Sequence, residues 1–205
     1  MAKAAVTIID HKINNLASIT NACKALGMEV TIAQSAEALR GAGHVLLPGV
    51  GAFGASMKQL EKTGLDQAIR EHVQQGNPIL GICLGFQVLF QHGTESGGEP
   101  GLGLFQGSVD RFQTKLHVPH VGWNSVEFER KHPIFEGIES GTYMYFVHSY
   151  HPRKVDDAQV LARTTYGDTF TCAVAHGSAA GTQFHPEKSG AVGLRLLRNF
   201  TNWRP

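Results

Sequence analysis

Short apolar runs alternate with amphipathic stretches through the first half of the chain. Ala5-Val6-Thr7-Ile8-Ile9 is rich in β-branched residues and predicts a buried strand. Asn15 stands where it would cap a helix running through Ala25, with Gly27 just past its end. Glu29 to Ile32 reads as a second strand, and His44 to Leu47 as a third, stopped by Pro48-Gly49. From Leu65 to Gln75 the spacing places Leu65, Ile69, His72 and Val73 on one helix face, and Gly76 follows. Pro78 to Ile82 predicts a fourth strand, entering a helix at about Leu84. Strand–helix–strand alternation of this kind builds a parallel sheet covered by helices on both faces.

The second half changes period. Leu104 to Phe112, Trp123 to Phe128, Tyr143 to His148, Val160 to Thr165, Thr171 to Ala175 and Gly181 to Phe184 are short strand candidates. Their close spacing favours mixed or antiparallel pairing. A last helix is predicted from about Ala191 to Trp203, with Leu194, Leu196, Leu197 and Phe200 as its apolar stripe. No repeat or linker interrupts the chain, so residues 1–205 read as one domain. The predicted class is α/β: an open, mostly parallel central sheet with helices on both faces, plus a smaller mixed or antiparallel sheet.

Composition agrees with a packed fold. Hydrophobic residues make up 42% of the 205 positions and charged residues 17%. A chain of this length buries about 70% of its unfolded surface. With 18 basic against 17 acidic residues, no electrostatic footprint for nucleic acid or an anionic membrane is expected. The longest stretch free of Asp, Glu, Lys and Arg, His72 to Thr94, is broken by Gln74, Gln75, Asn77, Pro78, Gln87 and Gln91, and does not read as a bilayer span. No leader segment is recognised at the start. Three scattered cysteines suit neither a disulfide framework nor a zinc site, and a reduced, cytoplasmic setting is expected. No metal or cofactor is called for, since no His, Cys and acid cluster has ligand spacing.

Chemistry concentrates in three segments. Gly81-Ile82-Cys83-Leu84-Gly85 has the Gly-x-nucleophile-x-Gly form of a strand-to-helix elbow, with cysteine as nucleophile. A sharp turn lifts the side chain off the sheet edge, and a helix beginning at Leu84 turns its positive end toward the sulfur. Cys23 and Cys172, within a predicted helix and strand, read instead as buried core thiols. A thiolate needs a histidine oriented by a third group. Among eleven histidines, His185 stands out: in Phe184-His185-Pro186-Glu187 the proline forbids a regular helix, and an extended backbone would project His185 and Glu187 to one side. The third segment, Pro48-Gly49-Val50-Gly51-Ala52-Phe53-Gly54, contains G-x-G-x-x-G after the third strand rather than the first, which weakens a dinucleotide reading. Its backbone N–H groups, with that of Leu84, could instead face an oxyanion. A plain tight turn is the remaining alternative.

Together these segments resemble the class I, triad-type glutamine amidotransferases, and more narrowly the glutaminase subunits of imidazole glycerol phosphate synthase. The resemblance spans nearly the whole chain. The donor loop Pro48 to Gly54, the elbow Gly81 to Gln87 and the closing Gln183 to Ser189 mark the superfamily. Pro119-His120-Val121-Gly122-Trp123-Asn124 and Tyr145-Phe146-Val147-His148-Ser149-Tyr150 point to the narrower group. The resemblance implies a flavodoxin-like core, a catalytic triad of Cys83, His185 and Glu187, and an oxyanion hole at Val50, Gly51 and Leu84. It implies L-glutamine binding by Gly49, Gln87, Glu95, His148, Ser149 and Tyr150, although Glu95 also reads as a solvated loop acid. It further implies a (βα)8-barrel cyclase as heterodimer partner, receiving ammonia in histidine biosynthesis. Trp123, Asn124 and Lys188 are candidates for its docking face, with a core position equally open for Trp123. One departure stands out. The family's Asp-Tyr-Gly-x-Gly-Asn-Leu is here Asp10-His11-Lys12-Ile13-Asn14-Asn15-Leu16, without either glycine. Asn14 adopts a left-handed backbone readily and Lys12 less so. Three competing readings remain: a glutaminase for another synthase, a catalytically silent binding subunit, and a nucleotide-binding module.

Overall fold

The structure, a computed structural model, describes residues 4–12 and 15–205, with Ser96 by its backbone alone. The predicted alternation in the first half is present: β1 (Ala5–Ile9), α1 (Leu16–Ala25), β2 (Glu29–Ala33), a short α2 (Ala36–Leu39), β3 (His44–Gly49), α3 (Phe53–Lys62), α4 (Leu65–Gln74), β4 (Ile79–Cys83) and α5 (Leu84–Gln87). Strands dominate afterwards: β5 (Phe90–Gly93), β6 (Glu99–Pro100), β7 (Phe105–Arg111), β8 (His120–Phe128), β9 (Thr142–His148), β10 (Tyr150–Arg153), β11 (Val160–Tyr166), β12 (Asp168–His176) and β13 (Ala179–Thr182), before the closing α6 (Gly190–Asn202).

One nine-stranded sheet runs β2-β1-β3-β4-β13-β12-β11-β8-β9. Its first five strands pair in parallel. From β13 outward every pairing is antiparallel. A second sheet, β10-β7-β5-β6, is mixed. A large sheet with a parallel half and a smaller mixed sheet is the expected class. Parallel strands are buried on both faces, so their residues feed two cores by turns. Val6, Ile8, Leu46, Leu80 and Ile82 pack with Ile19 and Cys23 of α1 and Leu196, Leu197 and Phe200 of α6. Ile9, Val45, Leu47 and Ile79 pack on the other side with Phe53, Met57 and Leu60 of α3 and Leu65 and Ile69 of α4. Among the described residues no helix is long and apolar enough to cross a membrane.

Several local expectations need correction. β3 does not stop at Pro48: Pro48 pairs with Ile82 and Gly49 with Cys83. β1 pairs only as far as Leu46, so the missing proline N–H falls where β3 has lost one neighbour. α3 was not foreseen, because the glycines before it read as loop; its buried Phe53, Met57 and Leu60 do carry helical spacing. Strands β5, β6 and β10 were also not foreseen. Asn15 occupies the cap position of α1, but its side chain makes no capping hydrogen bond. Lys12, standing where the family has a glycine, takes a left-handed backbone at φ +67°. Asp10 holds it there, accepting from the Lys12 N–H and from its Nζ, both at 3.0 Å. Ile13 and Asn14 lie outside the described residues.

Burial sets the charge state of the core histidines. It pushes His148 down to about 3, with His120, His151 and His185 adding to the shift, and His120 down to about 4. His11, fully buried with neither ring nitrogen partnered among the described residues, is also pushed to about 4. Above pH 6.5 these rings are neutral in both states and add nothing. Below it the unfolded chain binds protons that the folded chain refuses, so stability falls by about 1.4 kcal/mol per pH unit for each ring. Urea melts should therefore show the midpoint dropping steeply from about pH 6.5 to about 5, above the main carboxylate range. A level midpoint across that interval would contradict neutral buried rings.

Candidate active site

Strand register assembles the site. Gly49 of β3 pairs with Cys83 of β4, and Ile82 pairs with Thr182 of β13. The donor loop, the elbow and the chain following β13 thus leave the sheet together at the carboxyl ends of its parallel strands, where open α/β sheets bind ligands. Cys83 sits at φ +55°, a left-handed backbone that costs a non-glycine residue on the order of 1–3 kcal/mol. The turn is crowded. A Cβ on Gly85 would overlap the Leu47 carbonyl, and one on Gly81 would stand 2.7 Å from the Gly85 oxygen. The flanking glycines are therefore required by close backbone approach.

Beside the His185 ring, the sulfur faces two further protein groups. Cys83 Sγ lies 3.8 Å from the Val147 carbonyl oxygen and 3.8 Å from Gln183 Nε2. α5 is a single turn, so the helix end offers the sulfur less positive potential than the elbow motif suggests. The nearby titratable ring is His185. Its Nδ1 donates to Glu187 Oε1 at 2.7 Å, with the two side chains only 3% and 5% exposed. Burial by itself would lower the His185 pKa, but Cys83 and Glu187 outweigh it and raise the ring to about 10. Nε2 meets no nitrogen or oxygen partner among the described residues and is left to face the Cys83 sulfur, the first of the influences that raise the ring. It is the nitrogen left for a reacting group once Nδ1 is committed to the carboxylate.

The pairing of His185 and Glu187 arises from a turn, not from the extended backbone expected of this segment. Pro186–Lys188 is a 3-10 turn opened by its proline. The His185 N–H donates to the Tyr145 carbonyl at 2.9 Å, and Ser189 Oγ donates to the His185 carbonyl at 2.7 Å. Ser189 Oγ also accepts from the Tyr145 N–H at 3.0 Å, which fastens the turn to β9.

A pocket of about 330 Å³ opens over the sulfur, lined by Val50, Gly51, Cys83, Leu84, Gln87, Glu95, Pro119, Val147, His148, Ser149, Tyr150 and His185. Sequence reasoning did not single out Pro119 and Val147 as site residues, although both lie in the quoted motifs. Gly49 stands one residue behind the lining, paired to Cys83. Glu95 is tied in by Oε2, which accepts from the Phe53 N–H at 2.7 Å and so caps α3, and it is not a free loop acid. Gln87 Nε2 turns inward, to the Tyr150 carbonyl at 2.9 Å and Gln183 Oε1 at 3.1 Å. Both His148 nitrogens are likewise engaged, with the Tyr150 carbonyl at 2.8 Å and His120 Nδ1 at 3.1 Å. A larger, more open groove of about 750 Å³ between Phe128 and Ile138 contains no nucleophile.

The predicted docking residues separate. Trp123 is 55% exposed, which removes its core reading, and it pairs with Tyr145 across β8 and β9. Val121 and Tyr143 lie on the same face of that ribbon and are also exposed. Lys188 Nζ sits 5.9 Å from the Tyr145 ring centroid and joins this patch. Asn124 does not: its amide turns to the Thr165 carbonyl at 2.8 Å and to His120 Nε2 at 3.4 Å.

The elbow geometry has a direct test. Gly85→Ala should cost upward of about 2 kcal/mol through overpacking, seen as a lowered thermal midpoint. Gly43→Ala, where a Cβ meets nothing within 4 Å, should be close to neutral. Equal melting of the two variants would contradict the close approach at the elbow.

Comparison with known proteins matches this geometry. The family model described as "Glutamine amidotransferase class-I" matches residues 7–203. The chain is 45% identical over 197 residues to the imidazole glycerol phosphate synthase subunit HisH of Symbiobacterium thermophilum, covering 96% of this chain and 93% of that one. It is 44% identical over 204 residues to the same subunit of Sulfurimonas denitrificans, covering 97% and 98%. Among solved structures, a glutamine amidotransferase crystal structure superposes with a TM-score of 0.77 at 24% identity, covering 96% of this chain and 97% of that one. A chain of PurLQS from Thermotoga maritima gives 0.79 at 19% identity, covering 98% and 99%. These two structures share the fold. The chain belongs to the class-I glutamine amidotransferases and, within them, to the HisH subunits of imidazole glycerol phosphate synthase.

Proposed function

We propose that residues 1–205 act as one glutaminase domain that hydrolyses L-glutamine through a thioester on Cys83 and hands ammonia to a (βα)8-barrel cyclase, in a cytoplasmic heterodimer serving histidine biosynthesis. The observation that carries this reading is the buried His185–Glu187 pair beside Cys83, with Nε2 left to face the sulfur and the pocket.

The steps follow from these groups. The Cys83 sulfur, as thiolate opposite the His185 imidazolium, attacks the side-chain amide carbon. The carbonyl electrons move to oxygen, which backbone N–H groups at Leu84 and in the Val50-Gly51 loop would stabilise. Collapse of this adduct breaks the C–N bond, and His185 Nε2 gives its proton to the departing ammonia. Water then loses a proton to the now neutral Nε2 as it attacks the thioester. Collapse of the second adduct releases glutamate and returns the thiolate and the imidazolium. Glu187 holds the ring in one tautomer throughout. The negative charge of Glu95 is placed for the substrate ammonium, while Gln87 and His148 support the pocket wall with their inward hydrogen bonds.

Ammonia set free in neutral water is mostly protonated and no longer a nucleophile, so the chemistry calls for a synthase at the pocket mouth. The exposed Val121, Trp123 and Tyr143, with Tyr145 and Lys188, form an apolar ribbon next to the site. Exposed aromatics of this kind are enriched at interface hot spots. Asn124 would act from behind the ribbon and not across the interface.

Ammonia release from glutamine should be low for the chain alone and rise when the barrel cyclase and its nucleotide ligand are added. Cys83→Ala should abolish it, and Glu187→Gln should lower kcat by roughly 10²-fold with KM little changed. Wild-type protein that releases no ammonia with or without the cyclase would leave the silent-subunit reading. Activity indifferent to the cyclase would keep the glutaminase and remove that partner.

A further inference from the structure

Behind the nucleophile lies a row of buried polar groups whose hydrogen-bond directions are fixed by one carbonyl. The Tyr150 carbonyl can only accept. It takes His148 Nδ1 at 2.8 Å and Gln87 Nε2 at 2.9 Å. The Gln87 atom there must then be the amide nitrogen, and its second hydrogen meets Gln183 Oε1 at 3.1 Å. This fixes Gln183 in turn. Flipping its amide would set one NH2 against another, so the nitrogen is the atom that faces Cys83 Sγ at 3.8 Å. Gln183 is fully buried, and its own N–H donates to the Cys172 carbonyl at 2.8 Å, so the side chain is held at both ends. The row is braced from the far side. With Nδ1 donating, neutral His148 accepts at Nε2 from His120 Nδ1 at 3.1 Å.

The sulfur therefore lies between an acceptor and a donor. The Val147 carbonyl suits an S–H, whereas the Gln183 N–H suits a sulfur lone pair or a thiolate. We propose that Gln183 is a positioning residue for the nucleophile: its amide N–H holds the Cys83 sulfur in the rotamer that attacks, and Gln87 holds that amide in its orientation. This deepens the glutaminase reading above and rests on it for its kinetic consequence. Its chemical consequence, the reactivity of one thiol, does not depend on that reading.

Gln183→Glu separates the two halves of the interaction. It keeps an oxygen to accept from Gln87 and, as carboxylate, offers the sulfur no donor, so it is read at a pH where the introduced side chain is ionised. Gln183→Met removes both and carries the test if the buried carboxylate prevents folding. The first readout is alkylation by iodoacetamide at fixed pH, followed on the peptides that contain Cys83 and Cys172. Cys172 lies in β12 beside the Gln183 backbone and reports general loosening. The second readout is kcat and KM for glutamine in the complex with the cyclase. Both variants should slow Cys83 alkylation and kcat together by about tenfold, the low end of what a hydrogen bond to a charged group supplies. KM should stay within about twofold, and Cys172 should remain unreactive. Wild-type alkylation and kcat in either soluble variant would overturn the proposal. So would loss accompanied by newly reactive Cys172, which marks a merely structural role. If the wild-type complex releases no ammonia, the proposed function fails, and the alkylation result still decides the positioning claim.

Discussion

Three strands, β3, β4 and β13, lie side by side in parallel, and their register leaves Gly49, Cys83 and the residue after Thr182 at one edge. That alignment costs little to specify, since each strand is a short apolar run buried on both faces. It does much, because a shift of one residue would turn every side chain on the strand to the opposite core. The elbow depends on it most. Cys83 takes its positive φ where the neighbouring backbone is so close that Gly85 has no room for a Cβ beside Leu47. Strain at Cys83 is thus held by packing across the sheet and not by α5 alone.

Charge at the site is sorted by the partners each histidine finds. His185 and His148 are both buried against the same pocket. Glu187 and Cys83 raise the first to about 10, and burial drives the second to about 3. His148 has a carbonyl and another imidazole for neighbours, so neutrality is the form that its surroundings solvate. The ring opposite the sulfur is thereby the one whose surroundings favour the proton, and His148 and His120 serve as neutral dipoles. Pushing two nearby groups in opposite directions is how one pocket can separate a proton carrier from a scaffold, the division of roles proposed for His185 and His148.

Local patterns made much of this legible. β1, β2 and β4, α1, α4 and α6 follow from apolar runs and helical spacing, and the elbow from glycine placement around Cys83. What stayed hidden was set by contacts distant in sequence. In Phe53 to Lys62 the helical spacing of Phe53, Met57 and Leu60 is present but masked by the glycines before it, and its cap, Glu95, lies 42 residues on. β5 and β10 are four-residue strands, too short for alternation to show, and they exist because β7 pairs with both. The spacing of His185 and Glu187 suggests an extended backbone, but a 3-10 turn brings the two together. Gln183 was passed over as the first residue of a motif. Its role shows only once Gln87 and Tyr150, far apart in the chain, fix which end of its amide meets the sulfur. Trp123 and Asn124 looked alike as docking candidates, and strand alternation sends one outward and the other in.

The account turns on Cys83 becoming covalently attached to its substrate. The most direct measurement is acid quenching of the protein with glutamine and the barrel cyclase during turnover, followed by peptide mass analysis. The account predicts a γ-glutamyl group on the peptide containing Cys83, absent in Cys83→Ser and absent from the peptides of Cys23 and Cys172. Burial pushes the Cys23 thiol up to about 12, with the Glu187 charge adding to it, and burial raises the Cys172 thiol as well, so neither competes. Glutamine turnover with the label on another residue, or sustained turnover by Cys83→Ser, would contradict it.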